Sequence, residues 1–439
     1  MGRAADVVVI GAGAAGLAAA RDLSQAGRTV TLLEARPRWG GRVLTLREPA
    51  WPVPVELGAE FIHGEAEDTM AAAHAAGLAV ETLPDRHAWL RAGHLRPMSD
   101  TWSRFDEVRR RIPRRGPDRS FAEFLSRASL PRERKEMARM LVEGYHAASI
   151  DRMSAQALAA GEEEASEADH SQHRLVGGYD RLVGWLRAGL DPGRVSLRLR
   201  AAATEVRWAP GRATVTARVG MGTATATFGA RAVVMAVPLG VLKAPPEEPG
   251  ALRFVPELGR RRDAIEGLAM GPVTKVVFRF RERAWGDEAD FFHDAHAAFP
   301  TWWTPAPLRA PVLTAWAGGP AADALRGLDE RGLTDVALAT LASLLGVARG
   351  RLERLLEACV WHDWLADPFS RGAYAHVMVG GVPGQKTLGR PLQATLFFAG
   401  EHTEADETGT VGAAIASGRR AARQVLAALG GPARPRRRA

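Results

Sequence analysis

The apolar positions of this 439-residue chain change period several times, and the changes divide it into elements. Asp6 to Ile10 (DVVVI) is a short β-branched run with strand character. A helical stretch runs through Leu17 to Gln25, Gly27 ends it, and Thr29 to Leu33 (TVTLL) reads as a second strand. From about residue 68 to 190 the pattern is mainly helical, with apolar residues at helical spacing over Met70 to Ala76, Phe121 to Ala128 and Arg132 to Tyr145. Strand patterning returns near Val195 (VSLRLRAAATEVRW) and again at Ala213 to Ala217, Thr223 to Phe228 and Arg231 to Val237, before Pro238 and Gly240 break it. Val273 to Phe280 (VTKVVFRF) alternates, so period two places Lys275 on one face with Val273, Val277 and Arg279. A closing helix spans Val411 to Leu429, and no stretch offers the ~20 uninterrupted apolar residues of a membrane-spanning helix.

The first two strands enclose Gly11-Ala-Gly13-Ala-Ala-Gly16, and that context turns a weak motif into a βαβ dinucleotide-binding unit of an α/β, Rossmann-like fold. Gly11 permits the tight turn, Gly13 lets the backbone approach a pyrophosphate, and Gly16 lets helix and strand pack closely. Glu34 stands at the end of the second strand, where an acid holds a ribose hydroxyl pair. Arg36, Arg38, Gly40-Gly41 and Arg42 follow at once, a second glycine turn with flanking guanidiniums suited to the phosphates of an extended cofactor. Arg36 alone also fits a clamp for the extra phosphate of NADP, against which Glu34 stands as a like charge.

Composition narrows the class. Hydrophobic residues make up 46% of the chain, enough for sizeable cores, and the length suggests two domains. The net charge of +8 invites a nucleic-acid reading, but the excess is spread along the chain. Lysines occur only at 135, 243, 275 and 386, so 54 of the 58 basic residues are Arg, and no nucleic-acid-binding motif is present. Cys359 is the only cysteine, which excludes an internal disulfide and a thiolate-cluster metal site. The first strand begins too early to leave room for a signal sequence, and the expectation is a cytoplasmic protein without metal, membrane or nucleic-acid partner.

The run EARPRWGGRV (34–43) resembles the flavin amine oxidase family, and the resemblance implies that the dinucleotide is FAD. Further stretches resemble the family in its own order. ELGAEFIHG (56–64) is similar to the segment that runs along the flavin in polyamine-oxidase-like members, with Gly58 and Ala59 at the cofactor and a functional residue at the place of His63. Val206 matches a position whose backbone contacts the adenine, and AVPLGVLK (236–243) resembles the turn where the cofactor domain hands over to the substrate domain. WLADPFSRGAY (364–374) and FFAGEHT (397–403) followed by Thr410 and Val411 complete the signature, with Glu401 at the cofactor. The implied architecture is a discontinuous FAD-binding domain (1–67, 191–245 and 386–430), with a discontinuous α+β substrate domain (68–190, a helical insertion, and 246–385). A basic tail without order is expected over 431–439. Small residues of the closing helix, Gly412 to Gly418, are expected to let it approach the flavin.

The activity so implied is hydride removal from the carbon beside an amine nitrogen, giving an imine and, with O2, hydrogen peroxide. Lys275 matches the family lysine that holds a water against flavin N5, and Tyr374 matches one wall of an aromatic cage. The opposite wall is not a tyrosine here but Thr410, as in polyamine oxidase and histone-demethylase-like relatives. Trp364 and Phe369 are candidates for the missing apolar contact. Ala373 stands where monoamine oxidases carry the cysteine bonded to the flavin, so the FAD is expected to be non-covalent. A di- or polyamine is the expected substrate, drawn by Glu60 and by Glu163 within the acidic run 162–164, although most such runs are simply solvated. A monoamine oxidase, an L-amino acid oxidase, a carotenoid or porphyrinogen desaturase and a non-enzymatic scaffold remain open alternatives.

Overall fold

The computed structural model describes residues 5–160, 171–405 and 407–430. Glu163, with the rest of the acidic run, and the tail 431–439 lie outside the described residues.

The chain builds its first sheet around β1 (Ala5–Ile10), α1 (Ala14–Gln25) and β2 (Val30–Leu33). Later segments add β3 (Val195–Arg198), β4 (Ala201–Ala209), β5 (Arg212–Val219), β6 (Thr225–Met235), β7 (Arg253–Val255) and β8 (Leu396–Phe398). The order is β3-β2-β1-β6-β5-β4-β7, with β8 also paired to β6. β3, β2, β1, β6 and β8 run parallel. Helices and loops cover both faces. Val7 and Val9 enter one core with α1 and the closing helix (Val411–Ala428), whereas Val8 and Ile10 enter another on the opposite face. That double cover is why β1 reads as an unbroken apolar run and not as an alternation.

The second sheet pairs Leu356–Trp361, Val273–Phe280, Val312–Gly318, Thr301–Trp303, Phe291–His293, His87–Arg91 and His94–Met98 in that order. Val276, Phe278 and Phe280 pack towards the helix Glu330–Leu345, and Val277 packs on the other face with Trp51 and Val55. Lys275 therefore shares the face turned away from that helix, as period two requires. Among the described residues no single helix is long and apolar enough to cross a membrane.

Several boundaries differ from the pattern reading. α1 begins at Ala14, inside the glycine motif, because the turn itself supplies the first helical residues. The segment from Val195 splits into β3 and β4 at Arg200, whose φ of 53° turns the chain. The two strands expected over 223–237 are one, β6. The block expected to be helical contributes His87–Arg91 and His94–Met98 to the second sheet, a hairpin too short to show a period. β7 pairs with β4, and the helix Asp180–Ala188 packs Leu182, Val183 and Leu186 beside α1. The cofactor-side layer thus extends into both ranges assigned to the substrate side, because sheet edges and helix faces are closed by whichever apolar segment returns to them.

Candidate active site

The two glycine turns read from separate stretches meet in space. Gly11 sits at φ 102°, and a Cβ there would stand 2.5 Å from the Ala236 carbonyl oxygen. A Cβ on Gly16 would stand 1.8 Å from the Gly11 carbonyl oxygen, so helix and strand touch as the motif demands. Gly13 caps α1 without a side-chain partner, and a Cβ on Gly41 would stand 3.2 Å from its Cα. The amide of Gly40 donates to the Ala12 carbonyl at 2.9 Å, which clips the second turn to the first. Gly13, Ala14 and Ala15 line a cavity of about 350 Å3, where the uncapped amides of α1 offer donors to an anion.

Glu34 is buried beside this turn and accepts the amides of Ala12 at 2.8 Å and Arg36 at 2.9 Å. The guanidiniums read as phosphate clamps are engaged within the protein. Arg38 donates to the carbonyls of Trp39, Gly41 and Val43, holding the second turn in shape. Arg36 pairs with Asp367 at 2.8 Å and Ser370 at 2.7 Å, and its guanidinium stands 5.6 Å from the Phe369 ring centroid. Phe369 therefore lines the Glu34 end of the cavity, and its expected place beside the amine is corrected. Val206 is corrected too. It is fully buried with register partners on both sides, Val215 and Phe254, so sheet pairing uses its backbone, and Ala201 to Ala203 of the same strand line the cavity instead.

A second backbone approach is at Gly58, where a Cβ would stand 1.8 Å from the Arg42 carbonyl oxygen and 3.3 Å from the Trp364 ring. Trp364 donates its indole N–H to the Leu57 carbonyl at 2.7 Å and so props this segment, with Ala59 beside it on the cavity wall. Arg42 donates to the Ala373 carbonyl at 2.6 Å and to Glu401 at 2.8 Å, and Glu401 also accepts the Ala375 amide at 3.3 Å. Thr410 caps the closing helix by accepting the Ala413 amide at 3.0 Å, and Val411 follows it on the wall. Gly418 does not reach the cavity. A Cβ there would stand 2.2 Å from the Ala15 carbonyl oxygen, so its smallness serves the crossing of two helices.

Lys275 is 3% exposed and donates to Glu60 at 2.6 Å and to the Gly58 carbonyl at 3.2 Å. Glu60 also accepts from Arg174 at 2.5 Å and from the Trp303 indole at 3.0 Å. Burial alone would raise the Glu60 carboxyl, but the Lys275 and Arg174 charges outweigh it and hold it below the usual carboxylate range. The expectation that Glu60 is free to draw a polyamine is thereby corrected, since two of the protein's own cations neutralise it.

His63 lies on the short strand Ile62–His63, with its ring 5.0 Å from that of Tyr145. Burial, reinforced by His173, lowers its imidazole to about 4 and keeps it neutral. Tyr374 donates its hydroxyl to the Tyr145 carbonyl at 2.7 Å, and burial pushes its phenol far up. Pattern reasoning missed Tyr145 itself and the imidazole pair His87–His293, bonded at 2.7 Å, all of which line the same cavity. The available signal was scarcity, because the chain has only three tyrosines and two of them are here.

A family model for flavin-containing amine oxidoreductases matches residues 14–426. The chain belongs to this family. FAD is accordingly its cofactor, and the protein is an amine oxidase. Among curated proteins it is 27% identical to polyamine oxidase 4 of Oryza sativa subsp. japonica, over 94% of this chain and 86% of that protein. It is 28% identical to lysine-specific histone demethylase 1 homolog 3 of Arabidopsis thaliana over 96% of this chain, yet it spans only 30% of that relative's length. Two solved structures share the fold at a TM-score of 0.80. They are a putrescine oxidase variant redesigned in cofactor binding, at 21% identity over 96% of this chain and 99% of that one, and cyclohexylamine oxidase from Brevibacterium oxydans, at 18% identity over 97% and 100%. The mixed α/β architecture is the one these enzymes have.

The residues present fit FAD. Gly13 and Gly41 meet on the cavity wall with no side chain between them, and the uncapped end of α1 faces the same cavity.

Proposed function

We propose that this protein oxidises a small amine with non-covalently held FAD in a Rossmann-like domain, using O2 as acceptor and releasing hydrogen peroxide. The observation that carries the reading is a single cavity onto which the paired glycine turns and the Lys275–Glu60 pair both open. Gly13, Gly41 and the first amides of α1 would hold the pyrophosphate, Glu34 the ribose, and Gly58, Ala59 and Val411 the flavin end. When bound, FAD supplies a two-electron acceptor for the hydride of the amine carbon and passes the electrons to O2. The protein's own part is to strip water from the amine among apolar walls and to keep Lys275 fixed by Glu60 and the Gly58 carbonyl. His63, held neutral, leaves no competing cation beside the substrate nitrogen.

Ala373 supports non-covalent attachment, and so does the place of the chain's one cysteine. Cys359 lies on the strand Leu356–Trp361 against Thr334 at 3.2 Å, away from the cavity lining. The names of these relatives favour a di- or polyamine, whereas the pairing of Glu60 removes one of the two carboxylate sources that reading relied on, the other being the acidic run 162–164.

The test is peroxide release by the FAD-loaded protein over a panel of diamines, polyamines, monoamines and amino acids, followed by acid precipitation. Amine-dependent peroxide and free yellow flavin in the supernatant are expected. No turnover of any amine, or flavin retained in the pellet, would overturn the corresponding part.

A further inference from the structure

We propose that Tyr145 is a substrate-contacting wall of the amine chamber, and that this chamber selects an amine with one cationic nitrogen and a ring-shaped apolar tail. The proposal rests on the amine oxidase reading above and names the substrate class of that site.

Tyr145 is the last residue of the helix Arg132–Tyr145. Its ring meets those of His63 at 5.0 Å, Trp102 at 5.4 Å and His146 at 5.1 Å, and its carbonyl accepts the Tyr374 hydroxyl. These contacts fix it relative to Tyr374. Even so, 37% of its surface is uncovered, on a residue that lines the cavity. Its hydroxyl has no hydrogen-bond partner among the described residues. Burial pushes that phenol up to about 12, so it stays a neutral group able to donate or accept. An unpartnered hydroxyl on a ring that faces a cavity is a group a ligand can engage without breaking a bond within the protein.

The charges of the lining are consistent with one cationic nitrogen and no second. Three carboxylates line the cavity among the described residues, Glu34, Glu60 and Glu401, and three cations, Arg36, Lys275 and Arg42. Each carboxylate is paired with one of those cations. Among the described lining residues, a second ammonium deep in such a chamber would lose its water and find each carboxylate already paired. The Trp303 face does not replace one, because Lys275 already stands 5.6 Å from its centroid. His63 and His293 bring no charge either, since burial lowers the first to about 4 and holds the second well below its ordinary value. What remains on offer is ring surface from Phe61, Trp102, Tyr145, Phe291 and Trp303, which suits an aromatic or alicyclic tail through edge and offset contacts.

The experiment measures KM and kcat of the FAD-loaded protein for benzylamine, cyclohexylamine, putrescine and spermidine, in the wild type and in Tyr145→Leu and Tyr145→Phe. The wild type should favour the ring amines by about tenfold or more in kcat/KM, and Tyr145→Leu should raise their KM by about tenfold while leaving flavin content unchanged. Tyr145→Phe keeps the packing and should raise KM for the ring amines by about threefold with kcat little altered. A preference for putrescine or spermidine overturns the proposal, as does a ring-amine KM unchanged in both variants. If the Leu variant loses its flavin, the Phe variant alone decides. Peroxide from none of the four amines by wild type would instead sink the amine oxidase reading.

Discussion

The two ends of the cavity are built on different principles. At the cofactor end the decisive feature is the absence of side chains. Gly11, Gly16, Gly41 and Gly58 each bring backbone within a distance that a Cβ would violate or crowd, and the surfaces are made of amides and carbonyls. At the amine end the walls are side chains delivered by remote elements. Lys275 comes from the strand next to one edge of the second sheet, Tyr145 from a helix end, His63 from a two-residue strand, and His87 and His293 from neighbouring strands. The first end tolerates almost no substitution and little chemical choice. The second can change its occupant by changing one ring or one charge, because its scaffold is rigid while its lining is a mosaic.

The largest expected effect tests the first principle. Gly58→Val places branched atoms where a Cβ alone would stand 1.8 Å from the Arg42 carbonyl oxygen. Neither partner is a flexible side-chain tip, so the expected result is protein that purifies without FAD or fails to fold, read by the flavin-to-protein absorbance ratio. A variant with normal flavin content would show that the close approach is dispensable.

Next comes the junction of the two ends. Glu401→Ala leaves Arg42, 21% exposed, without its carboxylate, and should cost about 3 kcal/mol or more in a denaturant titration of the FAD-loaded protein. Arg42→Leu in the same background should recover part of the loss, and no recovery would argue against an isolated charge as the cause.

On the amine side, Lys275→Met should keep its FAD and lose turnover by about 10²-fold, since an ammonium fixed in a low-dielectric site is removed from the reaction. Peroxide release within twofold of wild type would make this lysine a structural partner of Glu60 and nothing more.

The last effect is a pH dependence of stability carried by four imidazoles, His63 and His146 on the cavity wall and His376 and His402 outside its lining. Burial lowers His63, His376 and His402 to about 4 and His146 to about 3, all below the ordinary 6.5. The unfolded chain therefore takes up protons first as pH falls, so the stability these groups hold is complete above about pH 6.5 and is lost on the way down to 4 and 3. Each contributes a slope of about 1.4 kcal/mol per pH unit within that window. His402, fully buried, is the cleanest case, and His402→Phe should make the stability profile between pH 6.5 and 4 shallower by about one proton. An unchanged slope would mean that the imidazole is charged in the native state.

The sequence by itself determined the paired glycine turns, because their requirements are local, but not that Ala201 to Ala203 rather than Val206 would line the cavity beside them. A glycine motif between two strands, an acid at the end of the second strand and a second glycine turn are separated by a few residues each, and backbone geometry over such spans leaves little freedom. The alternation of 273–280 likewise settled which face Lys275 occupies. Only the tertiary structure decided the rest. Glu60 has the same composition signal whether it awaits a substrate or is paired, and the pairing depends on Arg174 and Lys275, far away in the chain. Phe369 and Tyr145 exchanged their expected importance for the same reason, because which ring faces a cavity is set by the packing of whole elements and not by the neighbours of either ring in sequence.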